Sequence, residues 1–87
     1  MRVTGESMTG AGILNGDVLV VDRAREPRHG DIVVAVIDNE LTAKQLDRQG
    51  PTPRLRAHHP DFAVIDLRPG QELRIWGVVG GVVRRLP

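Results

Sequence analysis

The chain has no cysteine, no tyrosine, one phenylalanine and one tryptophan among its 87 residues. Without thiols there is no disulfide scaffold, no thiolate zinc site and no Cys-His nucleophile. With Phe62 and Trp76 as the only aromatic rings, base stacking on nucleic acid is poorly supplied. The core has to be built from Val, Leu, Ile and Ala, and β-branched residues favour sheet. No apolar run approaches the roughly 20 residues that cross a bilayer, and the N-terminus has no signal-peptide pattern. A soluble, cytoplasmic protein with no membrane association is expected. Twelve basic residues against eleven acidic ones leave a net charge of +1, too balanced for a protein held to nucleic acid by counterion release. No direct sequence-specific DNA binding is expected, and neither a metal nor a cofactor.

Serine and lysine are also nearly missing. Ser7 is the only serine, and Lys44 is the only lysine among eleven arginines. Arginine is thus the default cation. Lysine differs from it chiefly in being able to lose its proton inside a protein, so position 44 asks for an explanation.

A chain of this length makes one domain, residues 1–87, which buries only about 60 to 65% of the surface its unfolded form exposes. A dimer would help it, and the apolar segment from Ile75 to Val83 is a candidate contact. Short apolar runs alternate with Gly, Pro, Asn and Asp, and no 3.6-residue period persists. The fold class expected is mostly β: a compact fold of short, largely antiparallel strands with little or no helix. Strands are expected near Asp17 to Asp22, Asp31 to Ile37, Glu40 to Leu46, Arg54 to Ala57, Val64 to Leu67 and Leu73 to Arg84, with an exposed loop at Gln49 to Pro53.

Asp38-Asn39 suits a two-residue hairpin turn, because both residues tolerate positive φ. That turn sets Val33 opposite Lys44, Ala35 opposite Thr42 and Ile37 opposite Glu40. Lys44 then shares a largely apolar face with Leu46, where burial disfavours the ammonium and can make the amine a base. Ser7 lies in the glycine-flanked run Gly5-Glu6-Ser7-Met8-Thr9-Gly10, where backbone amides can face a developing oxyanion. Taken singly, a serine among glycines is ordinarily a turn residue and a strand lysine a solvated charge.

The wider pattern changes the balance. The runs Gly5-Glu6-Ser7-Met8, Gly12-Ile13-Leu14-Asn15-Gly16-Asp17, Gly30-Asp31-Ile32-Val33 and Leu41-Thr42-Ala43-Lys44-Gln45-Leu46 resemble, in order and spacing, the Ser-Lys peptidase family of LexA, UmuD and phage repressors. The resemblance covers nearly the whole chain. It implies Ser7 as nucleophile, Lys44 as general base, the backbone amides of Ser7 and Met8 as oxyanion hole, and a homodimer. Val20-Val21-Asp22, His29-Gly30-Asp31-Ile32-Val33 and Trp76-Gly77-Val78-Val79 look most like the UmuD branch. That implies an SOS-response accessory subunit of an error-prone Y-family translesion polymerase, partnered also by the RecA filament. The alternative is the C-terminal dimerisation and self-cleavage domain of a LexA-like or phage repressor. The family's regulatory arm, with its Ala-Gly or Cys-Gly scissile bond, has no counterpart ahead of Ser7, and Ala11-Gly12 lies inside the matched motif, so self-cleavage within these residues is not expected.

Other residues invite blander readings. Adjacent strand residues point to opposite faces, which argues against His58-His59 as a metal site. His29 belongs to the turn into the hairpin, with assistance to proton transfer as the lesser reading. Asp17 and Asp31 are placed to satisfy loop amides. Glu6 reads as a surface charge, and Met8 as packing beneath the turn or lining the cleft. Gly80-Gly81 suggests a bulge or a close backbone approach, and Arg84-Arg85 a solvated chain end rather than a phosphate contact.

Overall fold

The computed structural model describes residues 1–67 and 73–86. A single antiparallel sheet carries six strands: β1 (Val18–Asp22), β2 (Ile32–Ile37), β3 (Glu40–Asp47), β4 (Arg54–Arg56), β5 (Ile65–Asp66) and β6 (Arg74–Val83). Their spatial order is β1-β6-β2-β3-β4-β5. The one helical element among the described residues is a 3-10 turn, Thr9–Ala11. The mostly β, antiparallel fold read from the sequence is what forms.

The β2-β3 hairpin takes the expected register, with Val33 opposite Lys44, Ala35 opposite Thr42 and Ile37 opposite Glu40. Its turn residues have φ of 49° at Asp38 and 66° at Asn39, and a turn positive at both centres matches the twist of the flanking strands. Because side chains alternate across a strand, the hairpin divides its apolar residues between two faces. Val34 and Ala43 pack with Leu19 and with Val3, Met8 and Ile13 of the N-terminal segment. Val33, Ala35 and Leu46 pack on the other face with Leu55 and Val78.

β6 bridges β1 and β2 and is bulged against both. Its register jumps from Val20–Gly81 to Val21–Val79, making Gly80 the extra residue, as the paired glycines suggested. A second jump, from Val34–Gly77 to Ala35–Ile75, sets Trp76 apart. Arg23 donates from Nε to the Trp76 carbonyl (2.6 Å), and its guanidinium lies 4.1 Å over the indole, a cation-π geometry. The close backbone approach falls at Gly77, where a Cβ would collide with Val21, rather than at Gly80-Gly81.

β4 and β5 are shorter than the sequence suggests. β4 stops at Arg56 because His58 turns away from β3: its N–H donates to the Ser7 carbonyl (2.6 Å), and its own carbonyl accepts from Gly10 N–H (2.7 Å). Among the described residues β5 has only β4 as partner, through two residue pairs.

Candidate active site

β4 covers only Gln45, Leu46 and Asp47 of β3, which leaves β3 from Glu40 to Lys44 open on that side. The Ser7 turn arrives there. Gly5, at φ 90°, reverses the chain, and its N–H donates to Asn15 Oδ1 (2.9 Å). The Glu6 carbonyl accepts from both the N–H (3.2 Å) and the Oγ1 of Thr9 (3.1 Å). The Met8 carbonyl accepts from Ala11 N–H (3.0 Å) and Ile13 N–H (3.2 Å), while the Met8 side chain is buried beneath the turn. Among the described residues, the N–H groups of Ser7 and Met8 donate to nothing.

The turn brings Ser7 Oγ to 2.9 Å from Lys44 Nζ. The amine also lies 2.9 Å from Thr42 Oγ1 and 3.2 Å from the Ala43 carbonyl. Lys44 is 9% exposed, and desolvation pushes its pKa below the ordinary 10.5. A neutral amine has two N–H donors and one lone pair. In that form the Ala43 carbonyl and the Thr42 hydroxyl would take the donors and leave the lone pair for the Ser7 O–H, whereas the ammonium would donate to all three oxygens. Space for a substrate lies on both sides. A cavity of about 210 Å³ is walled by Val3, Ser7, Met8 and Leu41, and one of about 310 Å³ by Ile37, Lys44, Phe62 and Ile65. Glu40 and Thr42 border both.

The family whose pattern matches residues 1–80 is described as Peptidase S24-like. This chain belongs to the Peptidase S24-like family. Among similar S24 proteins is the LexA repressor of Cupriavidus taiwanensis, 45% identical over 84 residues, or 97% of this chain and 39% of that protein. LexA repressor 1 of Pseudomonas syringae pv. tomato is 51% identical over 87 residues, covering 98% of this chain and 43% of the relative. LexA repressor 2 of Pseudomonas putida is 44% identical over 85 residues, 98% and 42% respectively. The chain therefore spans about two fifths of the length of these curated relatives. They are named as LexA repressors, so the second of the two sequence readings has the better support over the UmuD-like one.

The remaining singled-out residues do other work in this S24 chain. His29 Nδ1 accepts from Arg48 N–H (3.0 Å), and His58 Nε2 sits 2.7 Å from Gln45 Oε1. His59 meets the Phe62 ring edge-on at 5.2 Å, and Glu6 is exposed. Asp31 accepts from Arg28 N–H (2.9 Å) and Arg25 Nη2 (3.2 Å).

Arg84 corrects the sequence expectation. It is exposed, as a solvated end would be, but it is not free: it clasps Asp17 through Nε to Oδ1 (2.8 Å) and Nη2 to Oδ2 (2.7 Å). That guanidinium, with the Leu14 N–H (2.7 Å), holds the Asp17 carboxyl down to about 2. Asp17 is the loop-amide acceptor the sequence indicated, but its dominant partner went unseen. The signal was slight: a carboxylate 2% exposed needs a cation, and eleven arginines offered too many choices.

Proposed function

We propose that this chain is the self-cleaving, dimerising peptidase portion of a LexA-like repressor, with Ser7 as nucleophile and Lys44 as general base. The 2.9 Å Ser7 Oγ–Lys44 Nζ contact with a desolvated amine carries that reading. A serine hydroxyl becomes an effective nucleophile only when a neighbouring unprotonated base accepts its proton. As Oγ bonds to the scissile carbonyl carbon, the hydroxyl proton passes to Lys44 Nζ. The carbonyl electron pair moves to oxygen, facing the unpartnered amides of Ser7 and Met8. Collapse breaks the C–N bond, and the leaving nitrogen takes the proton from Lys44. Water, deprotonated by Lys44, then cleaves the acyl-Ser7 ester, releasing a carboxylate and restoring the hydroxyl.

The substrate on this reading is an arm from the same or a paired chain, bearing an Ala-Gly or Cys-Gly bond. Repression is carried over from the names of the relatives, and its relief in the SOS response, with the RecA filament as trigger, from the family resemblance alone. A polymerase partnership belongs to the UmuD-like reading alone, which has the lesser support. Pairing is assigned to the exposed apolar face shared by β1 and β6, where Val18 and Val20 line up with Val83 and Gly81; the outer edge of β1 is itself bridged at Val18 by Arg2. Val18, Val20 and Val83 are exposed, Val83 by 58%. Sedimentation equilibrium should give twice the chain mass, and Val20→Glu should return it to the monomer mass; a wild-type monomer at tens of micromolar contradicts the pairing.

The dyad is tested with an arm fused ahead of Met1. Lys44→Arg keeps the charge but cannot accept a proton near neutral pH, and Ser7→Ala removes the nucleophile. Each should slow cleavage by at least ~10³-fold, and the double variant should be no slower than either, since members of one catalytic unit are non-additive. In the unaltered dyad the rate should climb with pH through an apparent pKa below 10.5, because burial favours the neutral amine. Normal cleavage by Lys44→Arg refutes the assignment.

A further inference from the structure

The Asp17–Arg84 clasp lies outside the dyad, yet it is built around the turn that carries it. Arg84 Nη2 donates a further hydrogen bond to the Gly12 carbonyl (2.8 Å), and Asp17 Oδ2 accepts from Leu14 N–H (2.7 Å). The two contacts therefore grip the chain on either side of Ile13. Ile13 N–H is one of the two donors to the Met8 carbonyl. Asp17 is also tied through its backbone, since its carbonyl accepts from Val3 N–H (2.8 Å), next to the Val3 wall of the cavity beside Ser7. A guanidinium supplies three geometrically fixed bonds here, which an ammonium cannot reproduce.

We infer that Arg84 and Asp17 are positioning residues that hold the Ser7–Met8 amides in register for the oxyanion. The inference rests on the dyad reading above. The chain of contacts runs from Arg84 to Gly12 and, through Asp17, to Leu14; from there Ile13 passes it to the Met8 carbonyl, which fixes the Met8–Thr9 peptide plane and, through the Met8 backbone dihedrals, the preceding Ser7–Met8 peptide. None of these side-chain bonds touches Lys44 or the apolar wall formed by Ile37, Phe62 and Ile65, and the Asp17–Val3 bond beside the other cavity joins backbone groups that a side-chain substitution leaves in place. Loosening the clasp should therefore weaken binding of the transition state and leave substrate binding and the base alone.

The experiment follows cleavage in trans of a fluorogenic peptide with a central Ala-Gly bond, alongside binding of a peptide boronic acid. The boronic acid adds to Ser7 Oγ and places a tetrahedral oxygen at the amides. Arg84→Lys and Asp17→Asn are compared with wild type at a temperature where circular dichroism shows all three folded. Each variant should lose about tenfold in kcat, with KM within about twofold of wild type, since uniform binding is untouched. Affinity for the boronic acid should fall by the same factor as kcat, and the pH at half-maximal rate should not move.

Unchanged kcat in either folded variant overturns the inference, as does a loss of activity that merely tracks the unfolded fraction. Failure of both variants to fold also overturns it, by reducing the clasp to a stability element. If wild type itself cleaves nothing, the dyad reading falls first and the inference with it. A cleaving wild type with equally fast variants removes only the role of the clasp.

Discussion

Lys44 stands in mid-strand, paired across a two-residue turn with Val33, and the other partners of its amine are its own neighbours Thr42 and Ala43. Ser7 stands in a turn with no ladder of its own. That turn is tied down by Asn15, by His58 and, through Gly12 and Asp17, by Arg84. Lys44, the proposed base, is thus held by local pairing over an apolar face, and Ser7, the proposed nucleophile, by a few long-range polar contacts. Such contacts contribute little to total stability individually, while the position they enforce governs rate steeply. Damage near Lys44 should accordingly appear as unfolding, and damage near Ser7 as lost turnover in a folded protein.

The contrast is sharpest for Leu46, fully buried at the meeting of β3 and β4. Leu46→Ala should cost about 2–5 kcal/mol in urea denaturation, while the rate per folded molecule stays close to wild type. A smaller effect of the opposite kind is expected at Gly10. A Cβ there would sit 2.6 Å from the His58 carbonyl oxygen, so the Gly10–His58 contact must open and the Ser7 turn shift. Gly10→Ala should slow arm cleavage by about 10²-fold and lower stability by only about 1 kcal/mol. Denaturation and single-turnover cleavage measured on the same samples decide the matter. If Gly10→Ala unfolds as readily as Leu46→Ala yet turns over normally, the division between the two halves of the site is broken.

Legibility followed the same division. The β2-β3 register was readable because Asp38-Asn39 fixes a two-residue turn; β2 is apolar at every position and buried on both faces, so the turn rather than alternation set the pairing. Gly80 marked its bulge because a glycine pair inside a strand has few other uses. His58 as the anchor of the Ser7 turn was not readable, since the bond uses its backbone and any residue type offers that. The same holds for Asn15, one polar residue in a loop of several. Arg84 escaped for a different reason: the sequence does not show that Asp17 is buried, and once the fold buries it eleven arginines are candidates for its partner. The shortness of β4 follows from the His58 contact and was hidden with it.

The separation of Asp17 from Arg84, 67 residues, has a consequence on the ribosome. Synthesis delivers the serine first, the lysine 37 residues later, and the guanidinium that completes the turn last. At about 5–20 residues per second, the interval between Asp17 and Arg84 is roughly 3 to 13 s. For that time the emerging chain holds Ser7 and then Lys44 without the closure that fixes the Ser7 turn. Until β6 has been made and laid between β1 and β2, the turn that carries Ser7 has no clasp to hold it beside Lys44, and on the proposed reading the dyad is not yet assembled.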